Sequence, residues 1–422
     1  MDLLDELAAR GLIHDTTDRA ALAARLARGP IGLYIGFDPT ADSLHVGHLV
    51  GQLFMRRFQL AGHRPFPLAG GATGMIGDPS GRSDERNLLE PETLRHNVEK
   101  IKEQLTKLLD FDPGPAQATL VNNADWTENV DLLTFLRDVG RFATVNQMLA
   151  RDSVRIRLEG EEGLSYTEFS YALLQANDFR HLYEHHDVEL QAGASDQWGN
   201  IVAGVDLIRR RLGVQAYAMT HPLITKADGT KFGKSGSGTV WLDPVRTSPF
   251  QFRQFWVQSD DKTVGTYLKM LSMRPFVEIE SILAEHAIAP EKRVAQRALA
   301  DEMTTMVHGA TALSSANAAA DILFGADASG AGDDVWETLV AELPTVELAP
   351  PIGDRRVHDL LIGAGFATST SDVNRLLKQR GVRVNARLLD EDGALADSDL
   401  VGGRYVLVRK GKRDHVIGVV RD

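Results

Sequence analysis

Tyr34-Ile35-Gly36-Phe37-Asp38-Pro39-Thr40-Ala41-Asp42-Ser43-Leu44-His45-Val46-Gly47-His48 is the stretch on which the reading of this chain turns. It ends an apolar run from Ile31 to Phe37, turns at Asp38-Pro39-Thr40, and opens a segment with apolar residues at Leu49, Leu53, Phe58 and Leu60. That pattern predicts strand, loop and helix N-terminus in succession. A helix start offers unpaired backbone N–H groups and partial positive charge, so imidazoles one turn apart there suit phosphate oxygens.

Moving outward, strand-like runs recur at Gly32–Phe37, Pro65–Gly70, Thr119–Asn122, Val188–Gln191 and Tyr217–Leu223, with helical patterns between them. The alternation predicts an α/β, Rossmann-like parallel sheet covered by helices on both faces. Ligands of such sheets sit beyond the carboxyl ends of the strands, where the loops carrying His45, Asp78, Asn123 and Asp196 should converge.

A second signal lies nearly two hundred residues on, at Gly229-Thr230-Lys231-Phe232-Gly233-Lys234-Ser235. It is not a P-loop, because Asp228 stands where the first glycine is required. Two lysines on a glycine-rich loop suit a polyphosphate and the charge that develops on departing pyrophosphate, and a loop closing over a triphosphate is expected. By itself, His45 with His48 also reads as a metal-ligand pair or as polar residues of a helix start. The lysine loop, following in order, favours phosphate.

The chain has 422 residues, no cysteine and a formal net charge of −12. Length and composition suit two or three globular domains, and the lack of cysteine excludes disulfides and zinc–thiolate sites. Met1 to Arg10 is acidic and amphipathic, and no window approaches the roughly 20 apolar residues of a membrane span, so a cytoplasmic protein is expected. The acidic balance is uneven: residues 351–422 hold 13 Lys and Arg against 10 Asp and Glu, while the rest carries a net −15. An acidic body with a basic, nucleic-acid-binding end fits that asymmetry.

Four regions are expected. Residues 1–245 form the nucleotide-binding domain, with an interface insertion at about 126–157. A helical domain covers 246–324. The glycine-rich stretch from Gly325 and the prolines up to Pro351 make 325–351 a linker. Residues 352–422 form a small α+β domain, in which Ser371-Asp372-Val373-Asn374-Arg375-Leu376-Leu377-Lys378 reads as a helix capped by serine, stopped by Gly381 and buried through Val373, Leu376 and Leu377.

His45-Val46-Gly47-His48 and Lys231-Phe232-Gly233-Lys234-Ser235 resemble the HIGH and KMSKS motifs of class I aminoacyl-tRNA synthetases. The Tyr34–His48 run, Gly77-Asp78-Pro79-Ser80-Gly81-Arg82 and the form of the second motif are similar to bacterial tyrosyl-tRNA synthetases, across essentially the whole chain. The resemblance implies ligation of tyrosine to tRNA(Tyr) with ATP as substrate, Mg2+ accompanying the ATP, no protein-bound metal, and a homodimer joined near Trp126–Arg157. It implies that Thr40, His45, His48, Lys231 and Lys234 stabilise the phosphate transition state. Asp178 with Tyr34 would bind the substrate phenol; Tyr171, Gln175 and Asp78 would surround its ammonium, with Gln191 nearby. Asp38, Gly47, Gly193, Asp196 and Gln197 would face the nucleotide, and Gln197 the reacting carboxylate. Arg82 and Arg86 match positions near the pyrophosphate or the tRNA acceptor end. Arg375, Lys378, Arg380 and Lys410 would contact tRNA through a domain of the ribosomal-protein type.

From the residues alone, Tyr171, Gln175 and Asp178 fall at i, i+4 and i+7 on one helix face and can line a pocket or form a surface stripe. A buried carboxylate left unpaired by phenylalanine is costly, and tyrosine-over-phenylalanine selection is the standing example of that rule. Ile35 and Gly51 depart from the family pattern, each removing a possible nucleotide contact. A tryptophanyl enzyme, a non-catalytic RNA-binding relative and a small-molecule nucleotidylyltransferase are the alternatives.

Overall fold

The computed structural model describes residues 2–80, 89–160, 163–227, 229, 232–235, 238–353, 355–411 and 413–421. Its contacts divide the chain into two compact units, Met1–Thr247 with Phe255–Met303, and Ser248–Gln254 with Thr304–Asp422.

The first unit is built on a six-stranded sheet of β1 (Asp15–Thr16), β2 (Gly32–Phe37), β3 (Arg64–Ala69), β4 (Val121–Asn122), β5 (Val188–Ala194) and β6 (Tyr217–His221), in the spatial order β1-β6-β5-β2-β3-β4. All neighbours are parallel except the short edge strand β1, which runs against β6. The five parallel strands are the five apolar runs read from the sequence; β1 was not anticipated. Their apolar content follows from burial on both faces. Helix Leu49–Leu60 buries nearly its whole surface, including Phe54 and Phe58. Phe179, Leu182 and Ile208, from helices Tyr166–His186 and Trp198–Leu212, form a core with Tyr34, Phe66, Leu68 and Val188 of the sheet.

From β2 the chain passes to β3 on one side, and later places β5 on the other. The order reverses between β2 and β5, and a crevice opens at their carboxyl ends. Helices Asp261–Leu271 and Phe276–Ile288 join this unit through two buried arginines. Arg10 donates to the Ser272 and Arg274 carbonyls at 2.9 and 2.7 Å, and Arg57 donates to the Ser272 carbonyl at 2.6 Å.

The second unit holds a five-stranded sheet, ordered β11-β10-β12-β13-β9 and made of β9 (Thr345–Leu348), β10 (Val382–Val384), β11 (Arg387–Leu388), β12 (Tyr405–Lys410) and β13 (Asp414–Val420). A hairpin of β7 (Lys234–Ser235) and β8 (Gly238–Thr239) belongs to the first unit. Along β12 the side chains alternate: Val406 and Val408 pack with Leu360, Leu361, Val373 and Leu377, while Tyr405 and Leu407 pack with Trp336 and Leu339. Both sheet faces are therefore covered.

That two-sided burial corrects the expected boundaries. Residues 325–351 are not simply a linker, because helix Asp333–Glu342 stacks Trp336 on Tyr405 with ring centres 5.1 Å apart, and β9 pairs with β13. The helical region 246–324 is not one body either; it divides near Met303, and helix Ala310–Phe324 packs into the second unit's core through Ala319 and Ile322. The serine cap exists but is Ser369, whose side chain accepts from the Asp372 N–H; beyond this helix, Arg380 takes a left-handed φ of 56° just before Gly381.

Candidate active site

A cavity of about 440 Å3 occupies the crevice at the β2–β5 switch point. Its walls bring together Tyr34, Asp38, Thr40, His45, Gly47, His48, Asp78, Tyr171, Gln175, Asp178, Gln191, Gly193, Asp196 and Gln197, every first-unit position singled out from the sequence as a catalytic or binding residue except Arg82, Arg86, Asn123, Lys231 and Lys234. Lys231 lies outside the described residues, as do Arg82 and Arg86, and for Lys234 only the backbone, in β7, is described. Ile35 and Gly51 also line the wall, and a Cβ on Gly51 would make ordinary contacts with Ile35 and Phe37.

Asp178 is fully buried on helix Tyr166–His186, 2% exposed. Burial pushes its carboxyl up to about 7, and two hydrogen bonds oppose that rise: Asn123 Nδ2 donates at 3.0 Å and Trp126 Nε1 at 2.9 Å. The Asp38 carboxylate adds a smaller push upward. Tyr34, buried on β2, has its phenol raised well above the usual tyrosine value by burial and by Asp178; its hydroxyl makes a long 3.4 Å bond to the Gln175 carbonyl. A carboxylate and a phenol thus share one pocket with hydrogen-bonding capacity to spare, which suits a ligand with a hydroxyl at its apolar end.

A polar chain leads from there toward the opening. Asn123 Nδ2 also donates to Thr73 Oγ1 at 3.0 Å, Thr73 donates to Asp38 Oδ1 at 2.7 Å, and Tyr171 donates to Asp38 Oδ2 at 2.8 Å. Gly70 makes room for it, since a Cβ there would lie 2.2 Å from Asp38 Oδ1. Asp38, expected beside the nucleotide, is tied by these bonds to the wall formed by Tyr171. A second cluster holds Asp78, whose oxygens accept from Gln197 Nε2 at 2.6 Å, the Ser80 N–H at 2.9 Å and Asn200 Nδ2 at 3.3 Å.

The other end carries the histidines, on a 3-10 turn (Val46–His48) that leads into helix Leu49–Leu60. The Gly47 N–H donates to His45 Nδ1 and the His45 N–H to His48 Nδ1, both at 3.1 Å. A backbone N–H can only donate, so both Nδ1 atoms are acceptors and both Nε2 atoms carry hydrogen. Burial pushes His45 down to about 4 and His48 well below its usual value, with His45 adding to the latter shift. At neutral pH the pair is two uncharged imidazoles, each with an N–H to offer.

The two motifs meet through backbone. Val46 N–H donates to the Val240 carbonyl at 3.0 Å, Leu242 N–H to the Leu44 carbonyl at 2.8 Å, and Val240 N–H to the Gly233 carbonyl at 2.8 Å. Gly233, at φ +87°, lies so close that a Cβ would be 3.0 Å from a Val46 methyl. Among the described residues, no group of three or more His, Asp or Glu is placed to hold a metal ion.

Sequence reasoning passed over Thr73, Trp126 and Asn200 as site residues. The glycine pair Gly70-Gly71 after β3 is a signal of close approach that could have pointed to Thr73, but nothing local points to a bond between Trp126 and Asp178. In the second unit, Arg375, Lys378 and Arg380 are exposed, Arg375 pairing with Asp372. Lys410 is instead drawn inward, donating to the Phe366 carbonyl at 2.9 Å and pairing with Asp414 at 3.3 Å.

A family model described as tRNA synthetases class I (W and Y) matches residues 26–325, and one described as the tyrosine–tRNA ligase SYY-like C-terminal domain matches residues 336–417. The chain is 51% identical over 421 residues to the tyrosine–tRNA ligase of Opitutus terrae, and 50% identical over 424 residues to that of Roseiflexus castenholzii, each match covering 99% of both chains. A C-terminally truncated mitochondrial tyrosyl-tRNA synthetase from Aspergillus nidulans superposes with a TM-score of 0.69 at 32% identity, over 76% of this chain and 94% of that one. Identity at this level over the full length, with both family models matching in order on the fold described, means that the chain belongs to the tyrosine–tRNA ligase family of the class I tRNA synthetases.

Proposed function

We propose that the cavity at the β2–β5 switch point carries out tyrosine–tRNA ligation in two steps, with recognition at its deep end and phosphate chemistry at its mouth. The observation that carries this reading is the joining, in one cavity, of a buried carboxylate–phenol pair to a pair of neutral, N–H-donating imidazoles. The substrate phenol donates to Asp178 and accepts from Tyr34, while its ammonium faces Tyr171, Gln175 and Asp78, with Gln191 in the wall. Gln197, bonded to Asp78, orients the reacting carboxylate. Asp196, Gly193 and Gly47 shape the nucleotide side, and Asp38 braces the wall between the two ends through Tyr171 and Thr73.

The substrate carboxylate is ionised already, so the first step needs no general base. One of its oxygens forms a bond to the α-phosphorus of ATP as the bond to the pyrophosphate oxygen breaks, giving tyrosyl-adenylate. Stabilisation comes from donors fixed where charge develops: Nε2–H of His45 and His48, the Thr40 hydroxyl, and the ammonium groups of Lys231 and Lys234 on the β and γ phosphates. Magnesium accompanying ATP as part of the substrate would help neutralise the triphosphate charge. In the second step a ribose hydroxyl at the tRNA terminus attacks the adenylate's carbonyl carbon and AMP leaves.

The partner RNA is tRNA(Tyr), bound in part through Arg375, Lys378 and Arg380; Lys410, already paired, contributes less. A homodimer fits the band of exposed apolar side chains in the expected interface segment, where Leu132 is 68% and Leu133 76% exposed and Val145 and Ile156 are also uncovered. The cytoplasm is the proposed location; no described helix is long and apolar enough to cross a membrane. Amino-acid-dependent exchange of pyrophosphate into ATP, without tRNA, tests the reading: tyrosine alone should support exchange, and exchange with tryptophan or phenylalanine at a comparable rate would overturn the pocket assignment.

A further inference from the structure

Phe232 stands inside the second motif, between Lys231 and Gly233, and its ring is gripped by three others. Its centre lies 5.3 Å from Phe255, 5.6 Å from Trp256 and 4.9 Å from Tyr267, with tilts of 64°, 47° and 57°. All three separations lie in the range that aromatic pairs prefer, and the Phe255 contact is edge to face while the other two are tilted. The socket is itself well held: Phe255 and Trp256 meet edge to face at 5.0 Å, Trp256 and Tyr267 are buried, and the Tyr267 hydroxyl donates to the Thr225 carbonyl at 2.8 Å. The next residue, Gly233, rests against Val46, and its carbonyl takes the Val240 N–H. The backbone between the two lysines is thus held at Phe232 by the aromatic socket and at Gly233 by Val46 and Val240.

We propose that Phe232 is a positioning residue for adenylate formation, and that its seat on Phe255, Trp256 and Tyr267 holds the Phe232–Gly233 backbone of the motif in place against the histidine segment. The role rests on the assignment of Lys231 and Lys234 to the β and γ phosphates. It needs no contact between Phe232 and the substrate; the ring determines what fraction of molecules hold the loop backbone in register with His45. If removing the ring lowers that fraction tenfold, apparent ATP affinity weakens by about the same factor. Tyrosine affinity stays constant, because Tyr34, Asp178 and Tyr171 are held by contacts that do not involve the socket.

The test is single-turnover adenylate formation with tyrosine binding measured in parallel. Phe232→Ala should lower kcat/KM for ATP about tenfold with the tyrosine dissociation constant unchanged. Phe232→Met, a flexible side chain that still contacts aromatic edges, should restore most of the loss. Phe255→Ala should reproduce the defect, and combined with Phe232→Ala should add little, the signature of two residues acting through one contact. Unchanged ATP kinetics in Phe232→Ala, full additivity in the double variant, or parallel loss of tyrosine affinity would each overturn the proposal. Lys234→Ala separates the two readings: if it leaves adenylation intact the lysine assignment fails, whereas a defect there beside a silent Phe232→Ala removes the socket alone.

Discussion

Replacing Trp126 with phenylalanine removes one N–H from a buried carboxylate and keeps a ring at the position, where the indole stacks on His181 at 4.4 Å. A hydrogen bond to a charged group contributes about 1.5–3 kcal/mol. At 1.36 kcal/mol per unit, its loss should raise the Asp178 carboxyl by roughly one to two units. From about 7, that places it near 8 to 9. The ionised form is the one that accepts the substrate phenol, so a raised pKa carries the loss of binding to higher pH. At pH 6 the ionised fraction falls by roughly 10- to 100-fold relative to the parent, at pH 7 by about 5- to 50-fold, and at pH 9 by twofold at most. Tyrosine dissociation constants for both proteins, measured by equilibrium dialysis at each pH, give the ratio directly, and the substrate's own titrations cancel in it. The ratio should collapse toward unity as pH rises. A ratio constant from pH 6 to 9 would refute the electrostatic account and assign Trp126 a purely steric role.

Other substitutions probe separate parts of the molecule. His45→Ala should lower the adenylation rate by about 10²–10³, as removal of a preorganised donor does elsewhere, with tyrosine affinity retained; a large loss of affinity in tyrosine titrations would contradict its placement at the phosphate end. Because His45 titrates at about 4, single-turnover adenylation with tyrosine saturating at each pH should show no inflection between pH 5.5 and 8 in the parent that His45→Gln removes. Glu168→Gln breaks a buried ion pair with Arg157, 2.9 Å long with both side chains 2% exposed or less, and should cost about 3–5 kcal/mol in urea unfolding. Leu133→Asp, in the exposed apolar band, should shift the mass measured by light scattering from dimer to monomer; an unchanged mass would remove that band from the interface.

The parallel sheet was legible because each strand is an apolar run of ordinary length, and the face of helix Tyr166–His186 because Tyr171, Gln175 and Asp178 keep helical spacing. What escaped reading is non-local. Strand β1 is two residues long and pairs with residues two hundred positions away. The stretch after Gly325 has the composition of a linker, yet Val335, Trp336 and Leu339 form a stripe whose burial depends on β12 and β13, which sequence order does not place nearby. The polar chain from Asp178 through Asn123 and Thr73 to Asp38 joins four separate segments, and only Asn123 and the two aspartates had a pattern to recommend them. Arg380, at a left-handed φ, holds a turn where glycine was expected to act alone.

The backbone bonds between Val46 and Val240, and between Leu44 and Leu242, have a consequence for a chain emerging from a ribosome. The wall that carries His45 is completed only when the polypeptide has grown past Leu242, nearly two hundred residues beyond the histidines, which takes roughly 10 to 40 s at about 5–20 residues per second. Until then the histidine segment lacks the neighbour with which its backbone pairs. Assembly of the histidine wall in this protein is therefore timed by synthesis: the whole stretch from His45 to Leu242 must be made before the backbone pairs that brace it can form.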